Sequence, residues 1–158
     1  MWKKIADGPT LLPEFSRANM MAYFVTRKVC DGQNAGDFKH LNKHSYPLFK
    51  SGHIQKIFTI KGNDNNVYLS AVCLPEMRKD RECKIQMVVS PSAEILYAED
   101  GCPAGRGPTG SCKHFAALCY AVEDFVRHDP SCLARRGCKR GISQDKKTRL
   151  QEHLRNIV

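Results

Sequence analysis

The stretch 100–126, DGCPAGRGPTGSCKHFAALCYAVEDFV, limits what this chain can fold into more than any other part of it. Cys102 stands at the head of a loop with three glycines and two prolines, and Cys112 and His114 follow ten and twelve residues later. Such a loop turns sharply enough to bring its two ends together. Two thiols and an imidazole converging on one point suit zinc, which takes N, S or O ligands, usually four in a tetrahedron. Beyond the loop Phe115, Leu118, Cys119, Val122 and Val126 recur at i, i+3, i+4, i+7 and i+11. That is the period of a helix with one buried face, expected over 112–127, with Ser111 as its N-cap.

Cys102-Pro103-Ala104-Gly105, then Gly110-Ser111-Cys112-Lys113-His114-Phe115-Ala116-Ala117-Leu118, resembles the second half of a SWIM-type zinc finger, whose pattern is Cys-x-Cys, a spacer and Cys-x-His. The run Ile95-Leu96-Tyr97-Ala98 resembles the strand leading to that family's first cysteine, a position held here by Asp100. The resemblance implies Cys102, Cys112 and His114 as ligands of Zn2+. For the fourth place Asp100 is favoured, since a carboxylate oxygen is an accepted zinc ligand, with another cysteine such as Cys83, water, or no metal at all as the alternatives. Two thiolates, a carboxylate, a neutral imidazole and Zn2+ sum to about −1, which Arg106 and Lys113 are placed to offset.

A helix, a β meander and this knuckle, in that order, resemble more widely the SWIM domain that precedes YqaJ-type phage recombinase nucleases in transposon-derived animal proteins. The likeness covers about residues 13–126, with specific motifs only in 95–126. It implies a binding module with a structural metal, engaged in DNA-linked work. A nuclease follows in that architecture, and 127–158 holds no nuclease motif, so the expectation is a fragment, a truncated product or a stand-alone adaptor.

At 158 residues the chain can bury a core without disulfides. The eight cysteines, at positions 30, 73, 83, 102, 112, 119, 132 and 138, are then available for other chemistry. The opening MWKKIADGPT lacks the apolar core of a signal peptide, which points to a reducing, intracellular compartment, nuclear or cytoplasmic. No apolar run is long enough for a membrane span, so no membrane partner is expected.

Residues 1–12 are expected to be a loose lead-in. A helix is expected over 14–28, with Phe15, Met20, Tyr23 and Phe24 on one broad face. The segment FKHLNKHSYPLFKSG shows no period and is expected to be irregular. From His53 short β-rich runs alternate with turn residues, which predicts four antiparallel strands: 53–60, 67–75, 83–89 and 94–98. The fold class is therefore α+β: an N-terminal helix, a meander of about four strands, a zinc knuckle leading into an amphipathic helix, and a basic C-terminal tail. The boundaries are 13–127 for the zinc-binding domain and 128–158 for the tail, partly helical or disordered.

The charge sits in that tail. Of the +9 formal charge, residues 127–158 carry nine Lys/Arg against three Asp/Glu, and RRGCKR packs four cations into six residues. Arg135, Arg136, Lys139, Arg140, Lys146 and Lys147 are the candidate nucleic-acid contacts, acting on phosphates rather than on bases. Cys119, Cys30 and Cys73 are expected as small buried side chains, and His40, His44 and His53 as solvated ones. His128, Cys132 and Cys138 match no common metal spacing. No GxSxG, P-loop or HExxH motif occurs, so no catalytic residue is assigned. Two further functions stay open: a protein–protein adaptor without nucleic-acid binding, and a zinc hydrolase with one open coordination position.

Overall fold

The computed structural model describes residues 1–7, 11–27, 40–74, 76, 82–102 and 112–129. Its architecture is α+β, built on a five-stranded antiparallel meander in the order β1-β2-β3-β4-β5. The strands are β1 Lys3–Lys4, β2 Ile54–Lys61, β3 Val67–Cys73, β4 Cys83–Val89 and β5 Ile95–Asp100. The helices are α1 Arg17–Met21, which continues as a π-helical turn Ala22–Thr26, α2 Tyr46–Lys50, preceded by a π-helical turn His40–Ser45, and α3 Lys113–His128.

Alternation decides the inner face of the sheet. Val67, Leu69, Ala71 and Cys73 on β3 and Ile85, Met87 and Val89 on β4 are all buried, while the residues between them are not. The hairpin joining β2 to β3 is closed by Asp64, whose carboxylate accepts the Asn66 N–H at 3.1 Å and the Tyr68 hydroxyl at 3.0 Å, with Asn65 in the left-handed region. Between β4 and β5, Ser90 accepts the Glu94 N–H at 3.1 Å and Ala93 takes the positive φ. The outer face carries Phe58, Tyr68, Val88 and Tyr97, which with Trp2 line a groove of about 870 Å³.

Helix α3 lies against the inner face and is sandwiched by the N-terminal helical segments on its other side. Its burial is consequently broader than the single stripe expected from the sequence. Phe115 through Val122 are all buried without a break. Ala116, Ala117 and Ala121 contribute to this, since small side chains bury readily on a helix packed from several sides. Tyr23 and Phe24 meet Phe115 at 5.5 Å between ring centroids, and Phe49 stacks on Tyr120 at 6.3 Å. At the far end Glu123 is paired with Arg127 at 2.9 Å and with Arg17 at 3.5 Å, which fastens α1 to α3.

Three sequence expectations need correction. Residues 1–12 are not all lead-in, because Lys3 and Lys4 pair with Thr59 and Phe58 and add a fifth strand. The segment from residue 40 is helical rather than irregular, with Pro47 at the junction of the π turn and α2, and Leu48 and Phe49 buried, Phe49 stacked on Tyr120 of α3. The N-terminal helix begins at Arg17 rather than at 14, with Ser16 as N-cap, its backbone N–H donating to Asn19 Oδ1 at 2.9 Å. Phe15, Met20, Tyr23 and Phe24 are buried together as expected.

Helix α2 ends in a Schellman motif. The Gly52 N–H donates to Phe49 O and the His53 N–H to Leu48 O, both at 3.1 Å, with Gly52 at φ 72°. A Cβ at Gly52 would have open space around it, so its only penalty is conformational. Gly52→Ala is therefore expected to lower stability by about 1 kcal/mol in urea unfolding, through backbone strain alone. An unchanged midpoint would show that the motif does not hold the turn.

Candidate metal centre

Asp100 is the last residue of β5, paired with Ile85 on the inner face and only 2 % exposed. Its carboxylate organises everything around it. Oδ1 accepts the Cys102 N–H at 2.8 Å, an Asx turn that folds the chain back two residues on. Oδ2 receives the Cys112 thiol in a short hydrogen bond and lies 3.3 Å from His114 Nδ1. Cys112 Sγ is in turn 3.8 Å from His114 Nδ1.

Cys112 reaches this position because it is the N-cap of α3. Its backbone is extended, and its Sγ accepts the Phe115 N–H at 3.3 Å. This corrects the expectation of Ser111, which lies outside the described residues. A thiolate sulfur that both caps a helix and faces a cation is favoured twice, since the exposed N–H groups of the first turn carry partial positive charge. His114 follows two residues on, in the first turn of α3, and Lys113 between them points to an ion pair with Glu76.

Asp100, Cys102, Cys112 and His114 thus offer four ligand atoms, all within 4.8 Å of one another. Among the described residues they are the one group of three or more His, Cys, Asp or Glu so gathered. A tetrahedron with zinc bonds to oxygen, nitrogen and sulfur has donor–donor edges of roughly 3.3–3.8 Å. The 3.3 Å and 3.8 Å separations around His114 fall in that range, while Cys112 and Asp100, joined by a hydrogen bond, stand closer than such an edge and would part to admit an ion.

The electrostatics agree. Burial by itself pulls the Asp100 carboxyl upward, but hydrogen bonds from His114, Cys102 and Cys112 outweigh it and hold the carboxyl below the usual carboxylate range. Asp100 is therefore an anion at neutral pH. The Cys112 thiol is pushed up, first by burial and then by its bond to Asp100. A metal ion must displace that proton to bind the sulfur. Apparent metal affinity is accordingly expected to rise with pH, by roughly tenfold per pH unit for this one thiol while it remains protonated in the metal-free chain. Competition titrations between pH 6 and 8 check this, and a flat profile would exclude Cys112 as a ligand.

The other sequence candidates are distributed as follows. Cys83 is absent from the cluster and lies opposite Cys73 in the sheet. Cys119 is fully buried beside Met87, as expected of a core residue, and Cys73 is likewise buried. His53 is half-buried rather than fully solvated, with its Nδ1 enclosed and without a hydrogen-bond partner among the described residues. His128 bonds back to Asp124 O at 2.8 Å. Arg106, Cys30, Cys132, Cys138 and the tail cations Arg135, Arg136, Lys139, Arg140, Lys146 and Lys147 lie outside the described residues. Among the described residues no helix is long and apolar enough to cross a membrane. Comparison of the chain with family models, with curated proteins and with solved structures finds no match.

Proposed function

We propose that this chain is a zinc-binding module of the SWIM type, with a structural metal and a basic tail that contacts nucleic acid. The observation that carries the reading is the convergence of Asp100, Cys102, Cys112 and His114 within 4.8 Å. These residues sit at the places where the sequence resembles the SWIM pattern, with Asp100 standing for its first cysteine. The zinc would supply one cross-link, tying the end of β5 to the start of α3.

Four protein donors complete a tetrahedron and leave no position for a reactive water, which favours a structural over a hydrolytic role. The donor set leaves the binding work to other surfaces. The tail is the strongest candidate by charge: eight Lys/Arg among the 31 residues 128–158 attract a polyanion through counterion release. If roughly four to six of these cations meet phosphates, log K on duplex DNA falls with log salt at a slope of about −4 to −5, with little sequence preference.

Removing residues 130–158 tests the division of labour. The cut leaves Asp129, whose N–H closes α3 on Phe125 O at 2.9 Å, and it leaves all four candidate ligands. Zinc content is expected to stay at about one per chain while most of the salt-dependent DNA binding disappears. Unchanged DNA binding after the cut would overturn the role of the tail and favour an adaptor that docks a protein.

A further inference from the structure

We propose that Cys73 and Cys83 form a reversible disulfide between β3 and β4. The sheet register places the two residues directly opposite each other, at the last pair of the β3–β4 ladder. Both belong to the inner face, Cys73 in alternation with Val67, Leu69 and Ala71, and Cys83 with Ile85, Met87 and Val89. Both are thiols in this structure.

Directly opposed residues of an antiparallel pair hold their Cβ atoms about 4.5–5.5 Å apart, and a disulfide needs about 3.5–4.5 Å. The remaining shift is small, and it falls at the last pair of the β3–β4 ladder. Competing thiols are placed less well. Cys119 is fully buried against Met87, and Cys102 and Cys112 belong to the metal cluster. The Cys73 thiol makes only a weak bond to Leu74 O at 3.6 Å, which oxidation would forfeit at little cost.

Exposure sets the order of events. Cys83 is half-buried and Cys73 is fully buried, so a soluble oxidant meets Cys83 first. With oxidised glutathione, the Cys83 thiolate attacks the glutathione disulfide and forms a mixed disulfide, releasing one glutathione thiolate. The Cys73 thiolate then attacks the Cys83 sulfur and expels the second glutathione thiolate. Two protein thiols are oxidised, one glutathione disulfide is reduced to two glutathiones, and the two thiol protons pass to them. The new bond would pin the start of β4, where Lys84 O receives the Gly101 N–H at 3.1 Å beside the metal cluster.

The test is to treat the full chain with oxidised glutathione in the presence of zinc, quench with acid and map the peptides without reduction. The expected product is tryptic fragment 62–78 joined to 82–84, lighter by two hydrogens than the separate pair and released by dithiothreitol. In Cys73→Ala the expected product is a glutathione retained on Cys83. In the unsubstituted chain, three results would each overturn the proposal: glutathione retained on Cys83 without a cross-link, Cys83 joined to Cys102, or no modification of either cysteine.

Discussion

Cys112→Ser is expected to abolish zinc binding while leaving the metal-free chain nearly as stable as before. Serine is a strong N-cap and its oxygen can accept the Phe115 N–H in place of the sulfur, so α3 keeps its start. A hydroxyl is not the soft anionic ligand that a thiolate is, so the metal loses a bond it cannot replace. Structural zinc sites contribute binding energies on the order of 10 kcal/mol at neutral pH, and that energy is folding energy wherever the site exists only in the folded chain. Zinc at a hundred times its Kd would raise the unfolding free energy of the natural chain by about 2.7 kcal/mol and leave Cys112→Ser unmoved. Thermal or urea unfolding with and without zinc reads both quantities. A Cys112→Ser chain that gains as much from zinc as its parent would remove Cys112 from the site.

The second large effect is expected at Phe115. This ring is 1 % exposed and closes an aromatic group with Tyr23, at 68° between planes, and with Phe24. Phe115→Ala leaves a cavity between α3 and the turn Ala22–Thr26 that a rigid sheet on the other side cannot fill. The cost is expected at about 3–5 kcal/mol, a large share of the 5–15 kcal/mol that holds an ordinary domain together. Because the Phe115 N–H also binds the Cys112 sulfur, disorder at this turn should weaken the metal centre as well. A loss under about 1 kcal/mol would mean that α3 does not depend on its N-terminal partners.

How far the sequence disclosed all this depended on which physical signal each element carried. Strand β4 was legible because Ile85, Met87 and Val89 share one face in a β-rich run, and α3 because its apolar residues keep a helical period over about three turns. Strand β1 had no such signal: two exposed lysines become a strand only by pairing with Thr59 and Phe58. The helical segment around Pro47 carries little signal because α2 is five residues long and follows a π turn, so Leu48 and Phe49 never establish a 3.6-residue period.

At the metal cluster, Cys102, Cys112 and His114 were suggested by spacing, and Asp100 by its place in the resemblance. What spacing could not disclose is how Asp100 works. Its side chain first makes the turn that brings Cys102 round, through the Asp-Gly-Cys sequence, and then receives the Cys112 thiol. An Asx turn was readable there in principle, since Asp before Gly is a turn signal. The N-cap falls at Cys112 rather than at Ser111 for a similar reason: sulfur is a weak acceptor and stands outside the usual capping residues, so only the backbone geometry at Cys112 reveals it.

The most direct test of the metal centre is X-ray absorption at the zinc edge on the full chain, loaded with zinc and freed of excess metal. The account predicts about one zinc per chain, with two sulfur neighbours near 2.3 Å and two lighter neighbours near 2.0–2.1 Å, the set supplied by Cys102, Cys112, His114 and Asp100. Three or four sulfurs in that shell, or no zinc retained by the folded chain, would contradict it.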